Sequence, residues 1–347
     1  MDMDSFKYLN LFLKSDKLIS STCDLWIYNP LGRDQKYLRD LLNFDFIFLR
    51  SGIIKDDLSK SINWLSTKID LFITSTKEEY NLLLSPDYGF SKNKIILTGL
   101  SRFDNLEKYK KLSKKKNNKI LLVMPSWSSF IKSLINENIY LNNFKNTKFF
   151  NFYNNLINDE NLNKVMKSYN YTGVFCLHQY FEAQLKDFTK NTQFLARDDC
   201  NYQELLLKGS LLITDYSSVF FDFEYLKKPI VYTHFDYEEF RLNDYKGKYF
   251  NYERDGFGPV YSTIATTVNS IISSIKNNCK LEIKYLKRIN SFFTFTDEHN
   301  NDRIYRQIIK RSNLAGKKYS IRISICLIKY FTFFLLLKII HIIYITN

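Results

Sequence analysis

Residues Leu211 to Tyr232 read LLITDYSSVFFDFEYLKKPIVY. Leu211, Leu212 and Ile213 form a short apolar run with the length and branching of a buried strand. The run breaks into Thr214, Asp215, Tyr216, Ser217 and Ser218, five side chains that can all hydrogen-bond. Val219, Phe220, Phe223 and Leu226 then recur at spacings that share one helix face. Lys227 and Lys228 are expected in the last turn of that helix, where cations complement the dipole, and Pro229 ends it. Ile230 to Tyr232 reads as the next strand. The unit is strand, polar turn, helix, strand. Hydroxyls and free backbone N–H groups converge where the helix begins, which suits a phosphate, although ordinary serine capping produces the same pattern.

The stretch resembles the C-terminal signature of the CDP-glycerol glycerophosphotransferases, which polymerise teichoic acids and related phosphate-linked capsule polymers. Thr214, Asp215, Ser217, Ser218, Asp222, Lys228 and Pro229 all stand in the positions of that signature. Further motifs resemble the family in the same order. Phe46 to Ser59, FIFLRSGIIKDDLS, is similar to its strand ending in His-Gly, with Gly52, Lys55, Asp56 and Asp57 in place. Ser51 occupies the position of the family's histidine, the general base that the resemblance implies. A serine hydroxyl has no useful proton affinity near neutral pH, unlike imidazole. No residue of the motif is an obvious replacement; Asp56 could serve, although the family has an acid there as well.

Lys94 to Leu106, KIILTGLSRFDNL, resembles the next motif, in which Arg102 either pairs bidentately with phosphate or fixes its loop by pairing with an aspartate. Ile120 to Ser128 resembles the strand and turn opening the C-terminal half, with Ser128 where the family has arginine. In Val174 to Gln179, His178 matches a histidine that the resemblance places on the donor pyrophosphate, where it can stabilise the leaving CMP, although a satisfied core histidine reads similarly. The donor phosphates are expected on Thr214, Ser217, Ser218 and Arg102, with Asp222 orienting the turn or meeting the donor's alcohol. Phe292 to Tyr305 resembles the family's closing segment.

Outward from these motifs, short apolar runs alternate with helical stretches, the pattern of parallel doubly wound sheets. Strands are expected at Leu25–Tyr28, Phe44–Leu49, Leu71–Thr74 and Lys94–Thr98, with helices at Asp56–Leu65 and Lys77–Leu84. A second strand series runs through Ile120–Met124, Val174–Leu177, Leu211–Thr214 and Ile230–Thr233. The fold class expected is α/β and GT-B-like, two Rossmann-like domains facing a cleft, the N-terminal one shortened. The domains are 1–113 on the acceptor side, 117–306 holding the CDP-alcohol, and a basic and apolar tail, 307–347.

The chain has 347 residues, enough for two domains, and a formal net charge of +14. Seven Lys and one Glu fall within Glu107 to Lys119, and nine Lys or Arg with one Asp within Asn301 to Asn347. These two segments account for the whole excess, and no aromatic platform accompanies them, so a nucleic-acid partner is not expected. Ile323 to Ile345 is apolar but interrupted by Lys329, Lys338 and His341. Beside its polybasic flank it suits the inner membrane surface better than a clean span, although a helix packed on the core reads similarly. Five scattered Cys without a CxxC pair argue against a zinc cluster or a disulfide framework, and for a reducing compartment. The acidic start MDMDSFKYLN is unlike a secretory signal.

The resemblance implies transfer of glycerol phosphate from CDP-glycerol, or a related CDP-alcohol, to a polyol-phosphate polymer or glycolipid, releasing CMP, on the cytoplasmic face of the membrane. No metal or cofactor is implied. Ser51 and Ser128 also allow an alternative, a degenerate homologue that binds nucleotide or polymer without turnover.

Overall fold

The computed structural model describes residues 11–12, 14–24, 27, 44–113, 119–126, 142–177, 179–189, 193–197, 201–243 and 249–315. Two parallel sheets organise them. The first has strands β1 (Lys17–Ser20), β2 (Asp45–Phe48), β3 (Leu71–Thr74) and β4 (Ile95–Leu97), side by side in that order. The second has β5 (Ile120–Val123), β6 (Thr172–Cys176), β7 (Phe194–Arg197), β8 (Leu211–Thr214), β9 (Ile230–Thr233) and β10 (Val260–Tyr261). Their spatial order is β10-β9-β8-β5-β6-β7, the doubly wound arrangement in which the chain reverses direction across the sheet between β5 and β8. β8 is buried throughout because helices cover both faces, which is why its sequence is an apolar run and not an alternation. The α/β, GT-B-like class expected from the sequence is the one observed.

Among the described residues the α-helices are α1 (Lys77–Leu83), α2 (Ser101–Ser113), α3 (Lys148–Ile157), α4 (Glu160–Ser168), α5 (Tyr202–Lys208), α6 (Val219–Tyr225), α7 (Tyr237–Asn243), α8 (Ile264–Lys276), α9 (Ile283–Phe292) and α10 (Asn300–Ala315). One face of the second sheet packs on α3, α4 and α8 through Tyr153, Leu156, Leu162, Met166 and Ile271. The other packs on α5, α6 and α9 through Leu205, Phe220, Phe223 and Ile289, and this core also takes in Ile53, Leu100, Phe103 and Leu106 from the first half. In exchange, Ile304 of α10 returns to pack on Ile47, Leu71 and Ile73 of the first sheet. Each half therefore lends the other a helix.

Several local expectations are corrected. Asp56–Leu65 forms turns, not a helix. Asn63 Oδ1 accepts from Leu65 N at 2.9 Å and Ser66 N at 2.8 Å, and its amide donates to the Ser59 carbonyl at 2.6 Å. Those local bonds compete with the helical ladder. The strand expected at Leu25–Tyr28 lies, except for Ile27, outside the described residues, and the edge strand is β1. Lys227 is not in the last turn of α6 but beyond it, in the left-handed region with φ 57°. Strands β1, β7 and β10 are additions to the expected set. Cys23 and Cys279 are free and Cys176 is disulfide-bonded, a pairing that sequence spacing gave no sign of.

Candidate active site between the two sheets

The carboxyl ends of β2, β4, β8 and β9 converge on the junction of the halves. At the end of β2, Arg50 adopts φ 66°, and its Nε donates to the Gly52 carbonyl at 3.0 Å, which closes a tight turn around Ser51. Ser51 is exposed there. A methyl group on Gly52 would come 3.3 Å from Ser218 Oγ and 3.9 Å from Arg102 Nη2. The absence of a side chain lets the turn of the first half approach the start of α6 in the second.

Arg102, at the start of α2, donates through Nε to Asp222 Oδ1 and through Nη2 to Oδ2, both at 2.7 Å. This fork joins the halves beside Ser218. Burial pushes the Asp222 carboxyl up, and the guanidinium opposes that push by charge and hydrogen bonding. Two of the arginine's five donors are thus spent on protein, which leaves Nη1 for any further acceptor.

Asp215 builds the turn between β8 and α6. Its Oδ1 accepts from Ser126 N at 2.7 Å, Tyr216 N at 2.6 Å and Ser217 N at 3.3 Å, and Oδ2 accepts from the Tyr153 hydroxyl at 3.2 Å. Thr214 is fully buried, and its hydroxyl donates to the Met124 carbonyl at 2.6 Å. It ties β8 to the end of β5 and does not face the cleft. Ser217 Oγ accepts from Val219 N at 3.4 Å, and the exposed Ser218 makes no capping bond with its side chain. Asp56 is buried against Lys55, with Arg241 Nη1 3.7 Å from its Oδ1. Of the residues expected to act, Arg102, Ser218 and Asp222 meet at one place, with Gly52, the neighbour of Ser51, against the first two. Asp56 is engaged by two cations beside them. His178 and Ser128 lie outside the described residues.

Glu79 supports the β2 turn without having been singled out. It is fully buried, and its two oxygens accept from Ile54 N and Ser75 N, both at 2.9 Å. The signal was present as Thr76-x-x-Glu79, since Thr76 caps α1 by accepting from Glu79 N at 3.1 Å.

The sequence matches the family described as CDP-Glycerol:Poly(glycerophosphate) glycerophosphotransferase over residues 1–310. The chain belongs to that family. It is 38% identical over 314 residues to the minor teichoic acid biosynthesis protein GgaB of Bacillus subtilis (strain 168), covering 89% of this chain and 34% of that protein. It is 32% identical over 108 residues to the teichoic acid poly(glycerol phosphate) polymerase of the same strain, covering 31% of this chain and 14% of that one. The chain thus spans about a third of the GgaB relative's length. Among solved structures, the wall teichoic acid polymerase TagF superposes with a TM-score of 0.61 at 17% identity, over 90% of this chain and 77% of that one. A UDP-GlcNAc 2-epimerase of Methanocaldococcus jannaschii gives 0.53 at 15% identity, over 89% and 79%. Both likenesses concern the fold.

Some of the glycerophosphotransferase signature is architectural in this chain. The Lys228 ammonium donates to the Leu206, Leu207 and Gly209 carbonyls at 2.8, 2.6 and 2.7 Å, capping the carboxyl end of α5. Burial pulls its pKa down to about 8. Asp104 accepts from Asn300 N at 2.9 Å and Asn301 N at 2.8 Å, capping α10 from α2. Gly99, at φ 83°, has Asn300 Oδ1 2.1 Å from where a Cβ would stand, so this crossing tolerates no side chain.

Proposed function

We propose that the chain transfers glycerol phosphate from CDP-glycerol to a hydroxyl of a polyol-phosphate or glycolipid acceptor. The acceptor oxygen bonds to phosphorus, the bond to CMP breaks, and the acceptor's proton leaves to a base or to water. The observation that carries this reading is the meeting of Gly52, Arg102 and Ser218 where the two halves touch, in a chain matched to the family over residues 1–310. A TagF variant, a structural relative, has been soaked with CDPG.

In this reading Ser218 and Ser217 receive the donor phosphate, Arg102 Nη1 adds charge, and Asp222 aims the guanidinium. Asp215 and Thr214 hold the turn in shape. Catalysis is then positioning plus electrostatic stabilisation, with groups fixed before the reaction begins. The donor is itself the activated species, so the reading calls on no cofactor. His178 is assigned to the pyrophosphate by its motif alone. The reaction is placed at the inner membrane surface, with the basic and apolar tail as the contact. That tail from residue 316 lies outside the described residues, and among those described no helix is long and apolar enough to cross a membrane.

CMP release from CDP-glycerol with a membrane fraction as acceptor tests the proposal, with Ser218→Ala and His178→Ala as comparisons. Release by the wild type that falls at least tenfold in both variants is the expected result. CDP-glycerol binding without release would replace the transferase with a nucleotide-binding homologue, the outcome that Ser51 makes a specific alternative.

A further inference from the structure

The turn between β8 and α6, to which the donor phosphate is assigned, is anchored from more than one side. Asp215 holds it inward, on Ser126 N and the Tyr153 hydroxyl. Tyr216, the next residue, holds it sideways. Its ring is buried and stacks on Phe240 at 3.6 Å and 9°, and on His234 at 4.6 Å and 27°. Its hydroxyl donates to Asp236 Oδ1 at 3.0 Å. Asp236 stands where β9 gives way to α7, and its carbonyl accepts from Phe240 N at 2.9 Å as that helix opens. The start of α7 therefore supplies both the ring that Tyr216 stacks on and the carboxyl that receives its hydroxyl.

The charges around this bond make it depend on pH. Burial, then the charges of Asp236 and Asp215, push the Tyr216 phenol far above its ordinary pKa, with Arg241 of α7 opposing, so it stays a donor. Burial, then the charge of Asp215, raises Asp236 to about 6, and the Tyr216 hydrogen bond opposes that rise. The titratable groups facing Asp236 are Asp215 and Tyr216 from the β8 turn, Tyr153 from α3 and Glu239 from α7. His234, at the end of β9, stays uncharged, because burial and then Lys55 and Arg241 lower it to about 3. Above about pH 6 the phenol therefore meets a carboxylate. Below that it meets a neutral carboxyl, and a hydrogen bond without the charge is roughly half as strong.

Tyr216 is continuous with the residues that receive the phosphate. Its N–H and that of Ser217 donate to the same oxygen, Asp215 Oδ1, at 2.6 and 3.3 Å. A ring released from Asp236 would move this turn, and Ser217 and Ser218 with it. Further along α7, Arg241 comes within 3.7 Å of Asp56 in the first half. The helix thus braces the phosphate turn against the opposite half.

We propose that Tyr216 and Asp236 are a positioning pair, whose hydrogen bond holds the Ser217–Ser218 turn in its donor-binding shape. The assignment rests on the phosphotransferase reading and adds these two residues to it. Calorimetric titration of the full chain with CDP-glycerol between pH 5 and 7.5 tests it, for wild type, Tyr216→Phe, Asp236→Ala and the double variant. Tyr216→Phe keeps the stacked ring and the net charge and removes only the hydroxyl. Amide hydrogen exchange over Thr214 to Val219, in the chain without donor, tests the pinning by itself.

Tyr216→Phe is expected to weaken CDP-glycerol binding roughly tenfold at pH 7.5, the worth of one charge-assisted hydrogen bond, and only about threefold at pH 5. In the Asp236→Ala background the same substitution should change binding by less than about twofold, because the two act as one unit. Exchange over Thr214 to Val219 should be faster in Tyr216→Phe than in wild type. A loss that is equal at both pH values, or equal with and without Asp236, would remove Asp236 and overturn the pair. Wild-type affinity in Tyr216→Phe would overturn it as well. Unchanged exchange would overturn the pinning whether or not the donor binds. Absence of CDP-glycerol binding and CMP release in the wild type would instead count against the phosphotransferase reading, of which the exchange measurement is independent.

Discussion

Ser51 is exposed next to Gly52, at the position where the resemblance places a histidine, and no imidazole among the described residues replaces it there. General base catalysis typically contributes about 10²–10⁴-fold, so a chain without the base should turn over slowly while its donor site remains whole. Ser51→His is expected to raise CMP release at least tenfold with little change in the KM for CDP-glycerol; unchanged release would remove the general base from the account of this site. A second residue-scale prediction concerns Glu224, which is fully buried on α6 with neither carboxylate oxygen hydrogen-bonded. Burial pushes its pKa well above the ordinary value, so the folded chain holds a proton that the unfolded chain releases. Stability from this group is then complete below the unfolded carboxyl's pKa of about 4.3 and declines as pH rises through the folded value. Glu224→Gln should flatten that decline in urea unfolding midpoints measured from pH 4 to 8. A slope identical to wild type would show that the carboxyl is not protonated in the fold.

At the scale of elements, Lys228 reads in the sequence as a cation in the last turn of its own helix, yet it serves the end of the helix before. Its three carbonyl partners belong to residues 206, 207 and 209, about twenty positions upstream. Lys228→Met should cost about 2 kcal/mol by leaving carbonyls of α5 without a charged donor, read as a lowered urea midpoint at constant m-value. A midpoint unmoved from wild type would mean that water caps the helix equally well. The same scale shows what was legible. The core strands β3, β8 and β9 could be read directly, because strands buried on both faces are continuous apolar runs. Edge strands β1, β7 and β10 lack that pattern, and none of the three is among the expected strands. The turns over Asp56–Leu65 were missed because Asn63 and its neighbours satisfy the backbone locally, which residue periodicity does not report.

At the scale of the whole molecule, α2 and α10 cross between the halves, and the Arg102–Asp222 fork, the Asp104 caps and Gly99 lie along that crossing. The arrangement holds the Ser51–Gly52 turn against the start of α6. Membrane contact through the basic and apolar tail is a proposal that vesicle binding tests. Flotation with vesicles containing anionic lipid should carry the full chain, and deletion of residues 316–347 should abolish that; equal flotation of both forms would remove the tail from the assignment. Near the surface each Lys or Arg contributes about 1 kcal/mol, so added salt should release the full chain progressively.

The sequence by itself determined the α/β class, the central strands and the motifs that place this chain in its family, because buried runs, breaker residues and hydroxyl-rich turns are local properties. Tertiary structure alone decided which motif residues face the cleft. Thr214 and Ser218 are four positions apart, yet one hydroxyl is buried on Met124 and the other stands exposed opposite Gly52. Arg102 and Asp222 are 120 positions apart and share two hydrogen bonds. A side chain's neighbours depend on how separate elements pack in space, and no local pattern along the chain encodes that.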